Sequence, residues 1–252
     1  MTRSLSFDVV VPTISRPSLA TLLAALARCD GPRPERTIVV TSGDDAVPPL
    51  AGVSLPLEVL PGPRRGPAAA RNAGWRAARA EWVVFLDDDV VPAAGWLRRL
   101  ASDLAAADED VAGVQGRVSV PLPSERRPSD WERNVAGLET ALWATADMAY
   151  RRRVLAEVGG FDERFRRAYR EDADLALRVI AAGYGLERGS RRVAHPVPAA
   201  ERWESLRRQA GNADDALMVK VHGRGWQADG ERRGRRSRHV ALTTAGVAAL
   251  AG

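Results

Sequence analysis

The chain has 252 residues, 45% hydrophobic and 27% charged, which is the balance of a globular protein with enough apolar side chains to bury a full core. Its one cysteine, Cys29, excludes a disulfide framework and a cysteine-based zinc site. The net charge is +5, and with Lys220 the sole lysine nearly all the positive charge is arginine, whose planar fork pairs with phosphate oxygens. That charge suits nucleic acid, an anionic membrane or a diphosphate-bearing ligand. No helix-turn-helix, zinc-finger or RNA-recognition signature accompanies it, so nucleic acid is set aside. The opening MTRSLSFDVVVP lacks the long apolar core of a signal peptide, and the expected location is the cytoplasm. The arginine and alanine bias fits a GC-rich bacterial genome.

Ser6–Val11 (SFDVVV) predicts a strand stopped by Pro12, and Leu19–Leu26 (LATLLAAL) a helix. Thr37–Thr41 (TIVVT) is a second strand that breaks into Ser42-Gly43-Asp44-Asp45, and Leu55–Leu60 (LPLEVL) a weaker third. Pro67–Ala80 (PAAARNAGWRAARA) predicts a helix with proline in its first turn. Trp82–Leu86 (WVVFL) is a strand that runs into Asp87-Asp88-Asp89, followed by a helix from about Ala93 to Ala107. Alternation of strand and helix implies an α/β fold with a mostly parallel central sheet and helices on both faces. Ligands on such a sheet bind outside the carboxyl ends of the strands.

Three adjacent carboxylates repel one another unless solvent or a cation compensates them, so the triplet reads either as an acidic turn capping a helix or as a site for a divalent ion. Compatible chemistry stands at the other strand ends, with Pro12, Thr13 and Arg16 after the first and Asp44 and Asp45 after the second. VVVPTISRPSL, VVTSGDD and GPAAARNAGWRAARAEWVVFLDDDV together resemble the opening half of family 2 glycosyltransferases, which have the GT-A fold. The resemblance implies a nucleotide-diphosphate sugar donor, most commonly a UDP-sugar, held by Pro12, Thr13, Arg16, Asp44, Asp45, Arg71, Asn72, Asp87 and Asp88. It makes Asp89 the direct ligand of Mn2+ or Mg2+, with Asp87 on the ribose or a metal-bound water. A hard cation there would offset the charge growing on the departing diphosphate.

The second informative block runs from Ala144 to Gly185. Met148-Ala149-Tyr150 reads as buried strand, and Asp172–Ala182 as an amphipathic helix with Glu171 and Asp172 at its start and Gly183 past its end. Carboxylates in a first turn are explained by the helix dipole alone. The block is also similar to the acceptor half of the same family, and that similarity implies Asp172 as the base that takes the proton of an acceptor hydroxyl, Glu171 as its support and Asp147 near the acceptor or the donor sugar. Transfer of that kind is a single displacement that inverts configuration. Trp131 and Trp143 stack on a sugar or fill core. His195, after a short apolar strand near Tyr184–Leu186, is a third metal ligand by the same resemblance or a structural histidine.

From Glu201 to about Val221 a charged helix carries Trp203, Leu206, Ala210, Ala213 and Leu217 on one face. Glu231–His239 (ERRGRRSRH) is densely basic and leads into the apolar VALTTAGVAALAG, whose 13 residues fall short of the ~20 that cross a bilayer. A surface helix on anionic lipid at the cytoplasmic face, a truncated membrane segment and a basic tail all remain open for it. The expected organisation is a GT-A domain over 1–200, with a donor half over 1–92 and an acceptor half over 93–200, then a helical appendage over 201–252. Two rivals stand beside the inverting, metal-dependent transferase. A sugar-1-phosphate nucleotidylyltransferase needs a glycine-rich phosphate loop and a reactive lysine. A non-catalytic binding module of the same fold needs neither Asp172 nor His195.

Overall fold

Every residue of Val9–Val11 and of Val83–Leu86 is buried, which happens only when both faces of a strand are covered. The computed structural model describes residues 5–47, 53–197 and 212–226. In chain order they form β1 (Phe7–Pro12), α1 (Ser18–Arg28), β2 (Thr37–Ser42), β3 (Leu57–Gly62), α2 (Pro67–Ala77), β4 (Trp82–Leu86), β5 (Val91–Pro92), α3 (Trp96–Ala106), β6 (Val111–Ser119), α4 (Asp130–Ala136), β7 (Asp147–Arg151), α5 (Arg152–Glu157), α6 (Glu171–Ala181), β8 (Gly185–Ala194) and α7 (Asn212–His222). One sheet takes the order β3-β2-β1-β4-β7-β6-β8-β5.

Side chains alternate along each central strand and so divide the core in two. Val9, Val11, Val84 and Leu86 pack with α1 and α3 through Leu19, Leu22, Leu26, Trp96 and Leu100. Val10, Val83 and Phe85 pack on the other face with α2, α5 and α6 through Ala68, Trp75, Leu155, Leu175 and Val179. Gly74 of α2 lies so close to β1 that an added Cβ would stand 2.3 Å from a Val10 methyl. This is the α/β sheet with helices on both faces that the sequence predicts.

Six strands share one direction: β1, β2, β3 and β4 pair in parallel, and β6 pairs in parallel with β8. β7 runs against both β4 and β6, and β5 runs against β8. In the register Leu86↔Asp147 and Ser119↔Ala194, the carboxyl ends of β4, β6 and β8 emerge on one edge of the sheet. That edge brings together Asp87, which follows β4, and His195, which follows β8.

Element limits differ from expectation where glycines intervene. α3 begins at Trp96, behind Gly95, rather than at Ala93, and the strand expected near Tyr184–Leu186 continues to Ala194. β6 is unpredicted because Gly113 and Gly116 interrupt its apolar run. Both are demanded by close packing: a Cβ at Gly116 would lie 2.1 Å from Asp147 Oδ2. Of the charged helix expected over Glu201–Val221, α7 accounts for Asn212–His222, and the rest lies outside the described residues, as does the basic and apolar stretch after Trp226. No helix among the described residues is long and apolar enough to cross a membrane.

Candidate active site

A cleft of about 1050 Å3 opens along the shared strand edge. Pro12, Thr13 and Arg16 line it from the end of β1, Ser42 from β2, Asp87, Asp88 and Asp89 from β4, and His195 from β8. Its further wall comes from α4 and the turn after it, through Trp131, Asn134, Val135 and Leu138, and from Ala168 and Tyr169 ahead of α6.

The three aspartates turn to three different partners. Asp88 is buried and accepts from the Thr13 hydroxyl at 2.6 Å, with Arg16 Nη1 at 3.5 Å. Burial holds its carboxyl above the ordinary carboxylate range, against the pull of Thr13 and Arg16. Asp89 binds Arg16 Nη1 at 2.8 Å through Oδ2 and faces His195 Nε2 at 3.4 Å through Oδ1. Burial, and then the charge of Asp87, push Asp89 upward as well.

Asp87 accepts from Arg71 Nη2 at 2.7 Å, and the same guanidinium gives Nη1 to Glu171 at 2.8 Å. Arg71 is almost fully buried. Burial works against its charge, but Asp87 and Glu171 more than offset that effect and keep it protonated. Glu171, equally buried, is pushed up to about 7 by burial and by the charge of Asp172, with Arg71 opposing. Its Oε2 has no hydrogen-bond partner. Asp172 is half-buried, and its Oδ1 accepts from the Ala173 amide at 2.7 Å. Burial raises it too, and the charge of Asp87 adds to the rise. Five carboxylates thus stand beside two arginines, and burial is the first cause of the rise at Asp88, Asp89, Glu171 and Asp172.

Asn72 does not reach the cleft. Its amide Nδ2 donates to the Phe161 carbonyl and to Glu163, each at 2.9 Å, while Oδ1 accepts from the Phe161 amide at 2.9 Å and from Trp75 Nε1 at 2.8 Å. It pins the GGFDE loop to α2, and Gly160 at φ 72 fits there because a Cβ would meet Trp75 and Asn72 near 2.5 Å. Asp44 is exposed and Asp45 pairs with Arg64 at 3.2 Å, both outside the cleft that Ser42 enters.

Asp147 corrects the expectation of an acceptor contact. Opposite Leu86 in the sheet, it points to the α1 and α3 face, since directly paired residues share a face. There it is fully buried, with Oδ2 on Trp96 Nε1 at 2.8 Å and Oδ1 on Arg191 Nε at 2.7 Å. Arg191 is itself 0% exposed and also donates to the Val114 carbonyl. This is a structural ion pair. Trp131 lines the cleft, whereas Trp143 packs against the core near Gln115.

Among the described residues no three histidine, cysteine or acidic side chains gather as a ready metal cage. Two donors do converge. Ligands on one octahedral ion, each at ~2.1 Å, stand ~3 Å apart, and Asp89 and His195 are 3.4 Å apart. His195 is buried with Nδ1 unpartnered. The pair fits a hard cation that takes its remaining ligands from phosphate and water, with Arg16 occupying the other oxygen of Asp89.

The profile of Glycosyl transferase family 2 matches residues 8–177, and the chain belongs to that family. It is 34% identical over 169 residues to the pre-mycofactocin glycosyltransferase of Mycobacterium tuberculosis, a match covering 59% of this chain and 34% of that protein. The chain therefore spans about a third of that relative's length. It is 27% identical over 247 residues to the succinoglycan biosynthesis protein ExoM of Rhizobium meliloti, covering 87% of this chain and 78% of the other. The mannosyltransferase PcManGT of Pyrobaculum calidifontis, solved with GDP-Man and Mn2+, superposes at a TM-score of 0.59 with 21% identity, over 99% of this chain and 81% of its own. S. aureus TarS 1-349 with UDP-GlcNAc does so at 0.55 with 18% identity, over 80% and 61%. At these identities the likeness is one of fold, the GT-A fold.

Proposed function

We propose that the chain moves a sugar from a nucleotide-diphosphate donor to an acceptor hydroxyl, with inversion at the anomeric carbon. The Arg71 bridge carries this reading: one buried guanidinium ties Asp87 of the strand-end triplet, at 2.7 Å, to Glu171 beside Asp172, at 2.8 Å. Donor and base must sit within one reacting distance, and a shared, solvent-excluded cation holds both without side-chain freedom.

Pro12, Thr13, Arg16 and Ser42 would take the nucleotide, and Asp87 and Asp88 its ribose and phosphate end. A divalent cation, Mn2+ or Mg2+, held by Asp89 and His195, would supply the positive charge that the departing diphosphate needs. Asp172 takes the acceptor proton as the hydroxyl oxygen bonds to the anomeric carbon; the bond from that carbon to the diphosphate oxygen breaks, and the nucleoside diphosphate leaves with the electron pair. An upward-shifted carboxylate is a stronger base, so the burial that costs Asp172 its ordinary acidity serves this step. Arg71 opposes the rise at both Asp172 and Glu171. The sole lysine, Lys220, lies exposed on α7 away from the cleft, which disfavours nucleotidyl transfer through a reactive lysine.

UDP-sugars are the first donors to test and GDP-mannose the second, the latter because PcManGT was solved with it. Product anomers read by proton NMR test the mechanism. Configuration opposite to the donor's is expected, and loss of turnover with a chelator that returns on adding Mn2+. Retained configuration, or indifference to chelator, overturns the corresponding half of the proposal.

A further inference from the structure

Arg170, directly ahead of Glu171, holds a left-handed backbone at φ 74, a conformation that costs a non-glycine residue and persists only where its surroundings over-determine it. Here they do. Its Nε donates to Asp215 of α7 at 2.7 Å, its Nη2 to the Tyr169 hydroxyl at 2.7 Å, and its guanidinium lies 4.4 Å over the Tyr169 ring and 4.9 Å over that of Trp226. The Tyr169 hydroxyl also meets Asp215, at 3.3 Å. α7 is anchored in turn: Met218 and Trp226 pack with Phe165 and Leu177, and His222 Nε2 lies 2.8 Å from buried Asp174 of α6. The product of all these contacts is a phenol ring fixed at the cleft wall and 38% exposed.

We propose that Tyr169, clamped by Arg170 and Asp215, is the platform on which a sugar ring of the acceptor stacks, so that the acceptor is itself a glycoside. The inference rests on the transferase reading above and adds the acceptor's chemical class. Two residues, Arg170 and Glu171, stand between Tyr169 and Asp172 in the chain, so a sugar lying on the ring would sit beside the helix start that carries the proposed base. The C–H face of a pyranose is apolar and matches an aromatic face, whereas a flexible alcohol gains little from one. The nucleotide of the donor is proposed to lie on other residues of the cleft lining, Thr13, Arg16 and Ser42. A ring already immobilised by an ion pair loses no rotamer freedom on binding, which makes the stack more favourable.

The test measures nucleotide release from a UDP-sugar, or from GDP-mannose, with methyl glycosides of glucose, galactose, mannose and N-acetylglucosamine as acceptors, and with glycerol and n-octanol as ringless ones. At least one methyl glycoside should accelerate release over the ringless alcohols. Tyr169→Ala should raise the KM for that glycoside about tenfold while the donor KM stays within twofold. Tyr169→Phe, which keeps the ring, should stay within threefold of wild type, and Asp215→Asn should fall between the two. A thermal shift with the nucleotide diphosphate that survives in each variant shows that the fold is intact. Ringless alcohols matching the glycosides, or Tyr169→Ala raising donor and acceptor KM alike, overturn the platform while leaving the transferase standing. No donor-dependent release with any acceptor overturns both.

Discussion

The two sides of the cleft are built differently. The side proposed for the donor is made of strand ends: Thr13, Arg16 and Asp87 to Asp89 follow directly from β1 and β4, whose apolar residues are fixed by the central core. The side proposed for the base is made of loops and helix starts that owe their position to distant residues: Glu171 to Arg71, the GGFDE loop to Asn72, Tyr169 and Arg170 to Asp215. Rigid strands present the donor groups at low cost, while the base side depends on a few polar contacts at sequence separations of 45 to 100 residues. Damage to one such contact should therefore spread on the base side and stay local on the donor side.

Removing Arg71 is the severest test of that contrast. Arg71→Met leaves buried Glu171 and half-buried Asp87 without their shared cation, and a loss of about 3–5 kcal/mol in urea unfolding is expected. A loss under 1 kcal/mol would mean that the two sides do not depend on this bridge. Asp147→Ala removes one of the two carboxylates that hold buried Arg191 and leaves Asp103 at 3.4 Å, so a smaller loss is expected, with no selective change in acceptor KM in whatever fraction folds. A selective acceptor defect at unchanged stability would return Asp147 to the site.

The next effect is on pH. Glu171 has a folded value of about 7 against an ordinary 4.5, so its protonated form is favoured by folding. Its contribution to stability is fully present below pH 4.5 and is lost as pH rises through about 7. Glu171→Gln should flatten that part of the stability profile, and Asp172→Asn should move the Glu171 titration downward, because Asp172 is the largest charge raising it. Carboxyl-carbon NMR checks both directions. On the donor side Thr13→Val removes one hydrogen bond from buried Asp88, for about 1–3 kcal/mol, and should raise donor KM with acceptor KM unchanged.

This division also decided what was legible in the sequence. The apolar strands of 7–12, 37–42 and 82–86, the amphipathic helices and the charged residues at the strand ends all follow from local pattern, and the fold class with them. His195 was identifiable only through resemblance, since nothing local shows that β8 runs parallel to β6 and ends beside Asp89. Asn72 and Asp147 are singled out in the sequence only through the family resemblance. Their hydrogen-bond partners, Phe161 and Glu163 for one and Trp96 and Arg191 for the other, lie 44 to 91 residues away and carry no local mark. Tyr169 carries no local mark, because an aromatic before an acidic helix start resembles any loop residue until Arg170 and α7 are seen holding it.

The most direct measurement of the central claim, that one site holds a donor and a base as separable parts joined by Arg71, is on Asp172→Asn. Titration calorimetry with the nucleotide diphosphate and Mn2+ should give a Kd within about threefold of wild type, while the transfer rate falls by about 10²–10⁴, the usual worth of a general base. Transfer at the wild-type rate, or nucleotide binding lost together with it, would contradict the account.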